Sequence, residues 1–220
     1  MNAVPQPRMT LQGYLDWENA QDTKNEFVQG EIVAMTGGRR TYGRCTDGRR
    51  TDGRVVSNLN WRLAQAVDGT PCQVFAEGMK VQVAEDAVLY PDVFVTCDAA
   101  DLATDQIFRS PKLVIEVLSP STHAYDRSRK FALYRRLASL QDYILVDPET
   151  RRVEAFRRTV QNEWVLHDMS DGLHLEASSI GCRMALADVF QGMDPPTDLA
   201  ADPPTGLTAD PTADVPASTV

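Results

Sequence analysis

The sequence predicts an α/β (α+β) fold in which a central mixed β-sheet is flanked by helices. Three features of one stretch, Val88 to Lys130, carry that prediction. An apolar run, VLYPDVFVTCD, reads as a strand. A second run, PKLVIEVLSP, follows about two dozen residues later, and a helical pattern, STHAYDRSRKFALYRRL, follows at once. A strand covered on both faces reads as near-continuous Val, Ile and Leu, which is how the second run reads. A chain of 220 residues is long enough for one domain with a real core.

The flanking elements follow in order. Thr10 is the expected N-cap of a first helix, with Leu11, Tyr14, Leu15 and Glu18 at helical spacing. EFV, a turn at Gln29-Gly30 and EIVAM predict a hairpin, with Glu26 and Glu31 beside it as candidate solvent-facing acids. Residues 36–54 read TGGRRTYGRCTDGRRTDGR, with six arginines against two aspartates and no apolar period. They predict an exposed, mobile loop. Its local charge of +4 could meet phosphates, or the tandem TDGR could be a slipped repeat without a role. Val55, Val56, Leu59, Leu63 and Val67 form a helical apolar stripe ended by Gly69. CQVFAE and MKVQVAE predict two strands ahead of the central pair; Lys80, in the second, is an exposed strand lysine or one that reaches a site. After the central helix, DYILVDP reads as a buried strand. RRVEAFRR and EWVLHDM alternate as an antiparallel edge pair, and Leu175 to Phe190 closes the domain.

The domain is expected to span 1–193. Beyond it, residues 194–220 repeat DPPTDLAAD, DPPTGLTAD and DPTADV and hold five aspartates and no basic residue. Such a composition predicts a disordered acidic tail. The chain's net charge is −9, and the rest of the chain carries only −4 of it. An acidic balance argues against a nucleic-acid binder that relies on a broad basic face. No apolar run is long enough to span a bilayer, and MNAVPQPRMT lacks the apolar core of a secretory signal. Cys45, Cys72, Cys97 and Cys182 have no metal-type spacing and are expected to be reduced thiols in a cytoplasmic protein. No Gly-rich phosphate loop and no G-x-S-x-G occurs, which leaves nucleotide-hydrolysing and serine-hydrolase readings without support.

Each central strand carries one carboxylate among apolar residues: Asp92 in the first and Glu116 in the second. A charge in such a strand is unfavourable unless it is paired or binds a metal. Asp92 also fits a turn acid after Pro91, Glu116 an arginine partner, and Asp126 with Lys130 an ordinary i,i+4 helix pair. The histidines, His123, His167 and His174, form no triad or metal pattern.

The run PDVFVTCD…SPKLVIEVLSPSTHAYDRSRKFALYRRLASLQDYILVDP resembles the Uma-type family of "putative restriction endonucleases", within the PD-(D/E)XK nuclease superfamily. MTLQGYLDWE, NEFVQGEIVAM, VVSNLNWRL and EGMKVQV extend the resemblance over roughly residues 9 to 192. It implies a restriction-endonuclease-like core and a metal-dependent DNA endonuclease. Asp92 and Glu116 would hold Mg²⁺ or Mn²⁺, and Lys130 and Glu26 would complete the catalytic set. DNA is the implied partner, with a homodimer left open. Two departures favour an alternative, a nuclease-fold binding or regulatory module that does not cleave. Leu118 stands two residues after Glu116, where the superfamily pattern has its lysine, so the helix would have to supply Lys130. Asp52 stands where the family often has a histidine.

Overall fold

The computed structural model describes residues 9–39 and 50–193. Helix α1 (Leu11–Asn19) starts at Thr10, whose hydroxyl accepts from the Gly13 N–H. Strands β1 (Thr23–Val28) and β2 (Glu31–Arg39) form the expected hairpin. Its turn residues Gln29 and Gly30 have φ of 56° and 85°. Two successive left-handed residues give a connection whose twist matches the strands it joins. Helix α2 (Arg50–Val67) buries its apolar stripe as predicted. Strands β3 (Gln73–Ala76), β4 (Lys80–Ala84), β5 (Ala87–Leu89) and β6 (Val93–Thr96) follow. A short helix α3 (Ala99–Leu102), capped by Asp98, leads to β7 (Ile107–Phe108) and β8 (Pro111–Val117). Helices α4 (His123–Tyr125) and α5 (Phe131–Tyr134) are joined by a π-helical turn over Asp126–Lys130. Strands β9 (Asp142–Asp147), β10 (Arg152–Arg158), β11 (Trp164–Asp168), β12 (His174–Ala177) and β13 (Cys182–Ala185) and helix α6 (Leu186–Val189) follow among the described residues.

The strands form a six-stranded sheet in the order β11-β10-β9-β8-β6-β3, a five-stranded sheet in the order β2-β1-β5-β4-β7, and the hairpin β12-β13. In the central six-stranded sheet β8 and β9 are parallel and the other neighbours antiparallel, so the predicted mixed sheet is present. One core layer joins α2 to Val93, Val95, Leu113 and Ile115 and is closed by Leu175, Met184 and Phe190. The opposite layer sets Phe94, Val114 and Tyr143 against Leu133, Tyr134 and the small sheet's Val28, Val81 and Leu89.

Three sequence expectations change. The run VLYPDVFVTCD is two strands, because β5 belongs to one sheet and β6 to the other. Pro91 lies at the break and has no N–H to continue a ladder. Both ends of the loop expected over 36–54 lie in regular elements. Residues 36–39 continue β2, with Arg39 opposite Thr23, and residues 50–54 open α2. The rest of that loop and the acidic tail lie outside the described residues.

The third change concerns the cysteines. Cys72 and Cys97 form a disulfide, not two reduced thiols, while Cys182 is a buried free thiol. The register explains it: Gln73 pairs with Thr96 in the antiparallel β3–β6 ladder, which sets Cys72 opposite Cys97. A separation of 25 residues hides that adjacency from the sequence. Mass spectrometry after alkylation under non-reducing conditions should therefore leave Cys72 and Cys97 unmodified and linked in one peptide pair. Quantitative labelling of both without prior reduction would contradict the pairing.

Candidate active site

Asp92 lies just before β6, at the step between the two sheets. The ladder pairs Val93 with Ile115, so the next antiparallel position sets Asp92 beside Glu116 on the adjacent strand. Asp92 is also a turn acid, as one reading allowed. Its Oδ2 accepts from the Val117 N–H at 2.7 Å, which ties it to the strand that carries Glu116. Glu116 is only 1 % exposed.

The π-helical turn brings the cation to these acids. Phe131 N–H bonds the carbonyl of Asp126, and the buried Tyr143 hydroxyl donates to the same oxygen at 2.8 Å. Widened turns of this kind are rare and recur at functional sites. Here the turn puts both Asp126 and Lys130 in the interior, at 3 % and 5 % exposure. Lys130 Nζ lies 3.0 Å from Glu116 Oε1, 3.3 Å from Glu26 Oε1 and 3.5 Å from Asp126 Oδ1. The Asp126–Lys130 pair is thus part of a buried cluster and not an exposed helix pair. Glu116 has the lysine as its partner where an arginine was one expectation.

Glu26, in β1, is buried and not a solvent-facing strand acid, whereas Glu31 is exposed. Its Oε2 accepts from the Tyr125 hydroxyl at 2.9 Å and its Oε1 from the Tyr90 N–H at 3.3 Å. With Lys130 it has three donors, which makes it an anchor for the lysine. Glu116 differs. Its Oε1 meets Lys130 at ion-pair distance but has no hydrogen-bond partner. Tyr125 was missed in the sequence. It follows no periodic pattern, and only its place next to Asp126 could have drawn attention to it.

Other candidates fall elsewhere. Lys80 donates to Asn19 Oδ1 on the surface, at 2.8 Å. Asp52 sits in the first turn of α2, where it accepts from the Thr51 hydroxyl. His123 opens α4 and is exposed. Lys130 therefore takes the place beside Glu116 that Leu118 cannot fill.

The electrostatics follow from four carboxylates gathered around one ammonium. Burial pushes the Asp92 carboxyl up to about 6, against the opposing pull of Lys130 and the Val117 N–H. Burial likewise raises Glu116 well above the usual carboxylate range, and its neighbour Asp92 adds to the rise. Burial pulls Lys130 down, but Glu116 and Glu26 outweigh it and hold the ammonium well above its ordinary value. Among the described residues no three Asp, Glu, His or Cys side chains are arranged to hold a metal ion alone. A hydrated Mg²⁺ or Mn²⁺ asks for less, since one or two carboxylates and several waters suffice. Asp92 and Glu116 are hard oxygen donors in an acid-rich site, and Glu116 Oε1 has only its ion pair with Lys130 and no hydrogen bond, so they fit such an ion.

Comparison with known proteins shows the family and the fold. The family model for Uma2, described as "Putative restriction endonuclease", matches residues 11–187, and the chain belongs to that family. An uncharacterized Synechocystis protein is 33% identical over 193 residues, covering 87% of this chain and 96% of its own. A second uncharacterized Synechocystis protein is 29% identical over 174 residues, covering 77% and 93%. A crystal structure described as "a putative nuclease belonging to DUF820", from Anabaena variabilis, superposes with a TM-score of 0.64. It is 19% identical and covers 83% of this chain and 97% of that one. The fold is therefore restriction-endonuclease-like, and family and fold together indicate a nuclease-type hydrolase. No described helix is long and apolar enough to cross a membrane.

The raised Asp92 pKa has a definite sign. The folded protein keeps a proton that the unfolded chain has already lost between the ordinary carboxylate range and pH of about 6. Stability from this group is complete below that window and is lost as pH rises through it. Without divalent ions, Asp92→Asn should therefore be more stable than the parent at pH 7.5, by about 1–2 kcal/mol after discounting for partial exposure. At pH 4 the two should be equal. Urea unfolding at both pH values checks this; a variant less stable at pH 7.5 would contradict it.

Proposed function

We propose that the chain is a divalent-metal-dependent endonuclease that hydrolyses phosphodiester bonds in DNA. The observation that carries the proposal is the Asp92–Glu116–Lys130 set at the junction of two sheets, with one Glu116 oxygen left without a hydrogen bond. Mg²⁺ or Mn²⁺ bound by Asp92 and Glu116 would neutralise phosphate charge and acidify a water.

The chain's own residues supply the rest. Lys130 stays protonated at neutral pH because Glu116 and Glu26 overcome the effect of burial. It therefore serves as a fixed positive donor that orients the attacking water or a phosphate oxygen, and not as a base that removes a proton. Glu26 keeps the lysine aimed, and Tyr125 and the Tyr90 N–H keep Glu26 in place. Asp126 adds a second acceptor behind Lys130. The Val117 N–H fixes Asp92 toward Glu116.

Supercoiled plasmid and linear duplex incubated with Mg²⁺, Mn²⁺ or EDTA test this. The parent should nick or cut DNA only with a metal present. Glu116→Gln and Lys130→Ala, shown to be folded by circular dichroism, should lose about 100-fold or more of the rate. A parent that binds Mn²⁺ and DNA yet leaves every substrate intact would favour the non-cleaving nuclease-fold module instead.

A further inference from the structure

Two buried polar atoms of the site region have no hydrogen bond: Glu116 Oε1, which has only its ion pair with Lys130, and the Tyr134 hydroxyl. One is an acceptor and the other can donate. Tyr134 is 0 % exposed, so water outside the protein does not satisfy its hydroxyl. Buried hydroxyls are nearly always bonded, and an exception calls for a reason. Tyr134 lies one helical turn beyond Lys130, so both side chains leave the helix on one face. Its ring packs in the core layer that contains Val114, two residues before Glu116 on the same side of β8. Glu116 is also first among the charges that hold the Tyr134 proton on, after burial itself.

In the arrangement described, Lys130 Nζ faces three carboxylates at ion-pair distance, and its contact with Glu116 is the shortest of the three. For Lys130 to orient a water or phosphate, its contact with Glu116 must open. Glu26 and Asp126 can retain the lysine. Glu116 then needs a new donor, since a carboxylate turned toward a cation is held best when its other contacts are fixed. We propose that Tyr134 is a positioning residue that donates its hydroxyl hydrogen bond to Glu116 when Lys130 turns to substrate and Glu116 to a divalent cation. This rests on the metal-dependent reading above. It assigns to a residue with no part in the resting hydrogen-bond network the task of holding one ligand.

The proposal separates function from stability. A hydroxyl that only supported the resting fold would be missed when removed, whereas an unbonded one would not. Tyr134→Phe in the full chain, without metal, should melt at or above the parent temperature. Its Mn²⁺ affinity by calorimetric titration should fall about 10-fold. In the parent, the ¹³Cζ resonance of labelled Tyr134 should shift on titration with diamagnetic Mg²⁺, which needs no variant. Unchanged Mn²⁺ affinity in Tyr134→Phe, a metal-free melting temperature lower by about 5 °C or more, or a ¹³Cζ resonance indifferent to Mg²⁺ would each overturn the proposal. A parent that takes up no Mn²⁺ at all would instead overturn the reading on which it rests.

Discussion

Lys130 is the interaction on which the rest of the site depends. Glu26, Glu116 and Asp126 are almost fully buried, and Asp92 lies beside them. Carboxylates placed together in a low-dielectric interior repel one another and lose hydration, and a lone buried charge is strongly unfavourable. One ammonium contacting three of them makes the cluster tolerable. It does not neutralise the cluster. The acids outnumber the cation, and burial above all, with the neighbouring acids adding to it, holds Asp92 and Glu116 above the usual carboxylate range. The surplus is an attraction for a further cation, which links the electrostatics of folding to those of the proposed chemistry.

The fold serves this cluster through local departures from regular structure. Pro91 ends one ladder and passes the chain to the other sheet, so Asp92 falls at the seam and not in mid-strand. The π-helical turn brings Asp126 and Lys130 inward together, and Tyr143 on β9 bonds the carbonyl that the turn uses. Glu26 arrives from the small sheet, Glu116 from the large one, and Lys130 from the helix. The site therefore exists only when the two sheets and the helix are docked. Local regularity is given up where the chemistry is, and regular strands and the α2 stripe hold the remainder in place.

The legible parts of the sequence were those with strong period or strong local chemistry. The α2 stripe, the Thr10 cap, the Gln29-Gly30 turn and the edge pair β10–β11 follow from spacing and turn preference alone. Asp92 and Glu116 stood out because a charge inside an apolar run is conspicuous. Other features are non-local. The burial of Glu26 depends on which sheet covers β1, and a strand alternation pattern does not report that. The Cys72–Cys97 bond depends on the register of β3 against β6. The π-helical turn leaves no mark in a sequence that reads as one continuous helix, and so Tyr125 and the true setting of Asp126 stayed hidden.

A crystal structure of the protein grown with Mn²⁺, with anomalous data collected at the manganese edge, tests the central claim most directly. The account predicts a single strong peak bonded to carboxylate oxygens of both Asp92 and Glu116, at about 2.2 Å, with Lys130 Nζ drawn off Glu116 and still held by Glu26. A fully soaked crystal with no peak there, and with Lys130 still seated against Glu116, would contradict it.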